Sequence, residues 1–194
     1  TELVVPKSIP MILLIAPQIL GFFRRFSLLL LLSLSLGLSS KAADPLLVAA
    51  ASDLAPLQSV LEKGFGEPVR FTFGSSGMLA RQIENGAPFD VFLSADEGFI
   101  DRLGERVESK FVYARGRLAI WSKSGKYSGL KDLDQAKVIA IANPGSAPYG
   151  RAARAALEKA GLWEGLKSRI VYAESVRQAF QFAESGNADV CLCS

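Results

Sequence analysis

The sequence predicts an α/β protein built on mainly parallel sheets, because short apolar strands alternate with amphipathic helices. The clearest evidence is the stretch 71–96, in which a strand, a Ser/Gly turn, a short helix and a second strand follow closely, as in a βαβ unit. Residues 46–51 and 138–142 are continuous apolar runs, the pattern of parallel strands buried on both faces. Neither an internal repeat nor a low-complexity linker interrupts the alternation.

The segment before the first of these strands has the pattern of a secretory signal peptide. Residues 11–23 are apolar, Arg24 and Arg25 form a basic pair, and residues 28–38 are a Leu/Ser run that leads to small residues around Ala42. The run after the arginines is too short to span a bilayer. We therefore expect a cleavable leader and a periplasmic protein.

We expect cleavage after Ala42, so that residues 1–42 comprise the signal peptide and, before Met11, upstream translated residues. Ser27 stands where the twin-arginine route expects an apolar residue, which favours the general export route. The alternative is a leader that remains as an uncleaved membrane anchor.

Composition excludes several classes of function. Histidine is absent, which excludes Ser-His-Asp and Cys-His catalysis and every zinc site that contains histidine. Removing the four basic residues and one acidic residue of the leader from the 22 and 19 of the chain leaves 18 of each, so no basic surface predicts nucleic-acid binding. The pair Cys191 and Cys193 is too small a ligand set for a metal, and we interpret it as incidental.

The first part of the exported chain predicts three strands and three helices. The strands are expected at residues 46–51, 69–73 and 90–93, and the helices begin at Ser52, Ser76 and Asp96. In the first helix the apolar residues lie on one side, at Leu54, Leu57, Leu61 and Phe65.

The second part continues the alternation. Strands are expected at residues 111–113, 117–122, 138–142, 170–173 and 188–192, with a single turn at 130–133. Pro148 precedes a helix over 149–162, at the position where proline is favoured. Ser175 and Gln178 form a capping box at the start of the last helix.

The turn at 74–77 is a candidate anion site. It places Ser75, Ser76 and the backbone N–H groups of Gly77 and Met78 at a helix N-terminus, where unpaired donors and the helix dipole favour an anion. The turn contains neither Lys nor Arg, so the donors would be neutral. The alternative is an ordinary capped turn.

Three more helices begin just after strands, at Ser52, Tyr149 and Val176. Such turns gather at the carboxyl ends of parallel strands, where ligands bind. Together with Ser76 they would form a cage for a small, fully ionised, roughly spherical oxyanion. The alternative is that each is a routine cap, with the Ser52 oxygen bonded to its own helix.

Four motifs carry a resemblance to a known family. They are A-A-A-S-D-L at 49–54, F-G-S-S-G-M-L-A-R-Q-I-E-N-G-A-P-F-D-V-F-L-S-A-D at 73–96, N-P-G-S-A-P-Y-G-R-A-A at 143–153 and A-E-S-V-R-Q-A at 173–179. In their order and spacing the chain resembles the molybdate-binding periplasmic proteins of ABC transporters, from residue 46 to about residue 190. The resemblance implies that the oxyanion is held by Ser52, Ser76, Tyr149 and Val176, the last two through the backbone.

The resemblance also implies a type II periplasmic-binding-protein fold, with two α/β lobes and a hinge. We expect one lobe at residues 43–115 and the other at 116–194, with the first crossing near 113–117. A family tyrosine expected after Val190 is replaced by C-L-C-S. The first lobe would then be incomplete, the product of a truncation or frameshift, with an open apolar sheet edge, and the second lobe would be the better ordered.

The function implied is capture of molybdate or tungstate in the periplasm and delivery to a permease in the inner membrane, by a monomer, without catalysis, cofactor or nucleic acid. Molybdenum enters only as its oxyanion, so no metal site is expected. The alternative within the binding class is another tetrahedral oxyanion such as sulfate. A serine hydrolase is the remote alternative, since only a lysine such as Lys123 could serve as base. The leader and the absence of a DNA-binding helix pair disfavour a regulator's effector domain.

Overall fold

The structure, a computed structural model, describes residues 44–194 together with the backbone of residues 9–15. Two mixed sheets organise the chain, one of five strands and one of four. The chain passes from the first sheet to the second between Gly116 and Ala119. Each sheet has helices on its faces, as the predicted α/β class requires.

The first sheet has the strand order β3-β2-β4-β1-β5. Its strands are β1 (Ile9–Ile15), β2 (Leu46–Ala51), β3 (Val69–Gly74), β4 (Val91–Ser94) and β5 (Ser109–Gly116). Strand β2 is parallel to both β3 and β4, whereas β1 is antiparallel to β4 and β5. The predicted βαβ unit is present, and its crossover passes over β2.

Short helices connect these strands. They are a 3-10 helix (Ser52–Leu57), α1 (Gln58–Phe65), α2 (Ser76–Glu84), α3 (Glu97–Asp101) and a second 3-10 helix (Gly104–Arg106). The first predicted helix is therefore two elements. Pro56 lies inside the 3-10 turn, and the change of helical period leaves Leu57 48% exposed, so its predicted place on the apolar face was wrong.

The second sheet has the order β6-β9-β7-β8. Its strands are β6 (Ala119–Trp121), β7 (Ile139–Ala142), β8 (Ile170–Ala173) and β9 (Val190–Cys193), and its helices are α4 (Pro148–Lys159), α5 (Trp163–Leu166) and α6 (Val176–Ser185). The 3-10 turns are Leu130–Gln135 and Lys167–Arg169. Strand β7 is parallel to its neighbours β8 and β9, and β6 is antiparallel to β9.

The capping box at α6 differs from its expected form. The Ser175 hydroxyl accepts from the Gln178 N–H at 3.2 Å, as predicted. The Gln178 side chain accepts from the N–H of Glu174 at 2.7 Å, rather than from that of Ser175. The N-terminus of α6 is nevertheless fixed by the pair.

Strand β1 corrects the expectation of an open sheet edge. It lies between β4 and β5 and pairs with both, so the unpaired N–H and C=O groups of those strands are satisfied by a segment that the leader prediction had left out of the sheet. Its pairing along Ser109–Gly116 also explains why β5 is longer than the predicted 111–113. The expected cleavage site after Ala42 lies outside the described residues.

The hydrophobic cores show how the two lobes meet. On the first sheet, Leu79, Phe92 and Ile100 fill one face, and Val48 and Leu93 belong to a cluster on the other. The second sheet has a single large core around β7, which is buried along its whole length. That core includes Ala51 and Ala95, at the carboxyl ends of β2 and β4. The lobes therefore pack together at these strand ends.

Within the described residues, no helix is both long enough and apolar enough to cross a membrane.

Candidate functional site

One cavity lies where the two lobes meet, and helix starts from both lobes surround it. All four residues predicted to hold an anion line it: Ser52, Ser76, Tyr149 and Val176. The remaining lining residues come from the same turns and are Ala51, Asp53, Gly74, Ser75, Ala95, Ala147 and Pro148. The tertiary structure thus brings together Ser52 and Val176, which are 124 positions apart in the sequence.

The cavity is small, and residues of both lobes line it. Its volume is about 10 Å³. A space of that size suits a small, compact group rather than a large organic solute.

Ser76 is held with its hydroxyl ready to donate. It is the first residue of α2 and is 1% exposed. Its Oγ accepts from the backbone N–H of Ala95 at 3.0 Å. That bond uses a lone pair of the oxygen and not the hydroxyl proton, so the proton is left for another partner.

The other predicted residues also stand at helix starts. Ser52 opens the 3-10 helix after β2 and is buried, while Tyr149 and Val176 lie in the first turns of α4 and α6. Amides in a first helical turn have no acceptor within the helix, and the helix dipole makes this end attractive to an anion. Hydroxyl and amide donors therefore surround the cavity.

Two of the predicted backbone donors are used by the protein itself. The N–H of Gly77 donates to the carbonyl of Ser146 at 2.9 Å, and the N–H of Met78 donates to the carbonyl of Ser75 at 3.0 Å. Neither amide is therefore free for an anion. The expectation from the sequence that both would be available was wrong. The Gly77 bond joins α2 of the first lobe to the loop before α4 of the second, so it links the lobes instead.

A polar pair that the sequence analysis missed crosses the same boundary. The phenol of Tyr149 donates to Oδ2 of Asp53 at 3.2 Å, over 96 positions of sequence. Burial raises the pKa of Asp53, against the opposing effects of its own backbone amide and the Tyr149 phenol. Burial, followed by the charge of Asp53, also raises the pKa of Tyr149.

Two polar atoms beside this pair are buried and lack a hydrogen-bond partner: Oδ1 of Asp53 and the phenol oxygen of Tyr113. Burial raises the pKa of Tyr113, and the charge of Asp53 raises it further, which places these groups near one another. The signal available in the sequence was Asp53 itself, an acidic residue directly after a predicted anion ligand.

The described residues contain no cluster of side chains that could form a metal centre. Among them, no group of three or more His, Cys, Asp or Glu side chains could hold a metal ion. Cys191 and Cys193 are buried free thiols on β9. Their mutual hydrogen bond, with burial, raises the pKa of Cys191, so that residue is a neutral thiol.

Comparison with known proteins gives a consistent result. Residues 46–193 match the family model described as bacterial extracellular solute-binding protein. The chain is 39% identical over 166 residues to molybdate-binding protein ModA of Azotobacter vinelandii, covering 80% of this chain and 66% of that one. It is 38% identical over 177 residues to the Rhodobacter capsulatus protein of the same name, covering 83% and 68%.

A solved structure agrees with these relatives. The periplasmic molybdate-binding protein of Azotobacter vinelandii matches with a TM-score of 0.69 and 38% identity, covering 76% of this chain and 70% of that one. The chain spans about two thirds of the length of the Azotobacter vinelandii and Rhodobacter capsulatus proteins.

Proposed function

The chain belongs to the family of bacterial extracellular solute-binding proteins, and on this premise we propose that it captures molybdate or tungstate in the periplasm and delivers it to an ABC-transporter permease. The chain has the type II periplasmic-binding-protein fold of its structural relatives. Members of this family bind and release a solute and are not enzymes, so the serine-hydrolase alternative is set aside.

The observation that carries the proposal is the convergence of Ser52, Ser76, Tyr149 and Val176 on one cavity. The two serines approach it from the first lobe and the two helix N-termini from the second. In this arrangement the hydroxyls and the amides donate to the oxygens of one tetrahedral anion from opposite sides. Closure of the lobes then removes the anion from water.

The chemistry of the lining supports a fully ionised anion. The lining contains serine hydroxyls and backbone amides but neither Lys nor Arg. Hydrogen-bond donors without a counter-charge recognise size and protonation state, because a protonated oxygen would meet a donor and leave it unpaired. Tungstate, with nearly the same shape as molybdate, should therefore bind like it.

The proposed location and partners follow from the same premise. The signal pattern of residues 1–42 supports export, and the relative with a solved structure is described as periplasmic. We place the boundary between the lobes at residues 115 and 116, and we count β1 in the first lobe because it pairs within that sheet. We assign a monomeric state to the protein, with a permease in the inner membrane as the receiving partner.

Isothermal titration of the chain with molybdate, repeated in excess sulfate, tests the assignment. We expect one site per chain, displacement by tungstate, and little competition by sulfate, because the smaller anion leaves buried donors unpaired at about 1–3 kcal/mol each. Several such donors amount to orders of magnitude in affinity. Equal competition by sulfate would assign the site to the alternative ligand, and absence of any molybdate binding would refute the proposal.

A further inference from the structure

Asp53 introduces a negative group into a site proposed for a dianion. Its backbone follows Ser52 directly, and it lines the same cavity as Ser52, Ser76, Tyr149 and Val176. One carboxyl oxygen, Oδ1, is buried and unpartnered, and the other accepts from the phenol of Tyr149. A carboxylate and a dianion so close together, in a buried site, would repel strongly.

Within the described part of the chain, no cation is among the groups that shift the pKa of this carboxyl. The groups that face it are its own backbone amide and the phenols of Tyr149 and Tyr113, and burial keeps both phenols neutral. The Cys193 thiol lies beyond, next to Tyr149. Charged side chains on the other elements packed against this 3-10 helix are engaged elsewhere or exposed: Arg177 lies over the Phe180 ring, and Glu62, Lys63, Arg70 and Glu184 are exposed.

The contacts of Asp53 give its charged form little support. Hydrogen bonds from a hydroxyl to a carboxylate are usually about 2.5–2.7 Å long, and the Tyr149 to Asp53 bond, at 3.2 Å, is longer and therefore weaker. Oδ1 is buried without a hydrogen-bond partner, and an unpartnered oxygen costs more free energy in a charged carboxylate than in a neutral acid.

We infer that Asp53 takes up one proton from solvent when the lobes close around the anion, so that anion binding by this chain is coupled to proton binding. The inference rests on the proposed function, because it concerns the same site. Asp53 acts here as a positioning and specificity residue: its neutral form lets Tyr149 hold the two lobes together beside a dianion. Molybdate and the proton enter as separate species, and no covalent bond to the anion changes.

The sign of the pH effect follows from linkage. With the lobes apart, Asp53 regains contact with water, and its pKa falls back toward that of a free carboxyl. In the closed form its pKa is raised by burial, and the bound dianion raises it further. At a pH between the Asp53 pKa of the open form and that of the anion-bound form, the complex holds more protons than the free protein. Affinity for the anion is therefore greatest at the lower end of this pH range. The dissociation constant should then rise by up to about tenfold per pH unit as pH increases.

The experiment is calorimetric titration of the full chain with sodium molybdate between pH 6.5 and 8.5, in two buffers of different ionisation enthalpy at each pH. The dependence of the observed heat on the buffer gives the number of protons taken up. We expect about one proton per anion at the lower pH. The variant Asp53→Asn keeps an oxygen that can accept from Tyr149 but does not titrate. In this variant we expect no proton uptake and an affinity that no longer changes with pH.

Two further variants make the result specific. Asp134→Asn removes an exposed carboxyl of the second lobe and should keep the wild-type proton uptake. Tyr149→Phe removes the donor to Oδ2 but keeps the backbone amide, and it should also retain proton uptake, because the lost bond favoured the carboxylate. Retained uptake in Tyr149→Phe shows that the Tyr149 phenol is not the group that takes up the proton, and it can be measured even if Asp53→Asn fails to fold.

Each outcome decides something. Molybdate binding with fewer than about 0.2 protons taken up in the wild type, or with equal uptake in Asp53→Asn, overturns the proton coupling alone. Absence of molybdate binding by the wild type overturns both the coupling and the proposed function.

Discussion

Single residues determine how the proposed hydrogen-bond donors to the anion are positioned. Ser76 accepts from the N–H of Ala95, which holds its oxygen in place and leaves its proton for another partner. The same bond means that Ser76 has two roles, since it also satisfies a buried backbone donor of the segment after β4. Ser52 and Ser76 are therefore not equivalent, although the sequence presents both simply as serines after strands.

Replacing Ser76 with Ala should weaken molybdate binding about ten- to a hundredfold, because a charge-assisted hydrogen bond of about 1.5–3 kcal/mol is lost. The variant should also lose about 1–3 kcal/mol of unfolding free energy, since the Ala95 N–H is left buried and unpaired. Calorimetric titration and urea unfolding measure the two effects.

Ser168→Ala, on an exposed turn, is the control and should change neither quantity. Unchanged affinity in both Ser52→Ala and Ser76→Ala would remove these serines from the site.

At the scale of elements, the N-terminus of α2 meets the loop before α4. The N–H of Gly77 donates to the Ser146 carbonyl across the lobe boundary. Only glycine allows this approach, because a Cβ at position 77 would lie 2.6 Å from the Ser146 oxygen and 2.9 Å from the ring of Phe99. One helix start thus serves both as a proposed ligand site, through Ser76, and as the contact that seats the second lobe.

The substitution Gly77→Ala should therefore disfavour closure of the lobes more than it disfavours folding. We expect affinity for molybdate to fall about tenfold or more, while the unfolding free energy changes by less than about 1 kcal/mol, because alanine is the better helix former and only the Phe99 ring must shift within the lobe. Titration and urea unfolding report the two quantities.

Gly165→Ala is the matched control. A Cβ there meets nothing within 4 Å, so this variant should bind normally. Wild-type affinity in Gly77→Ala would show that the ligand-bound form is more open than this structure.

At the scale of the whole molecule, the structure shows the lobes closed on one another. Asp53 with Tyr149 and Gly77 with Ser146 join them near the cavity, and an ion pair between Arg151 and Asp96 at 3.0 Å joins them further out. Arg151 also lies 4.8 Å from the centre of the Phe99 ring. The outer contact is partly solvated, so its contribution is modest: exposed pairs are worth about 0.2–1 kcal/mol.

Asp96→Asn isolates this outer contact. Oδ1 of Asp96 caps α3 through the Gly98 N–H, and asparagine caps equally well, so folding should be unaffected. Loss of the charge should speed molybdate release up to about fivefold at low salt, with a smaller difference at high salt.

Stopped-flow displacement of molybdate by tungstate measures the release rate. Asp134→Asn serves again as the control. A release rate equal to that of the wild type at low salt would mean that the Arg151 contact does not contribute to closure.

Much of the architecture was accessible from local sequence. The strand at Leu46–Ala51, the helix at Ser76–Glu84 and the cap at Ser175 were predicted and are confirmed, because apolar periodicity and capping chemistry act within a few residues. The four helix starts around the cavity were identified for the same reason. Their role as ligands of an anion stays a prediction that the titrations test.

The contacts between segments far apart in the chain were decided only by the tertiary structure. Asp53 meets Tyr149, Gly77 gives its N–H to Ser146 rather than to a ligand, and Ile9–Ile15 pairs between β4 and β5. Each depends on which groups remain unpaired or buried once the lobes have packed together. Local periodicity carries no information on that, because hydrogen-bond satisfaction and desolvation are properties of the assembled surroundings rather than of a residue and its neighbours.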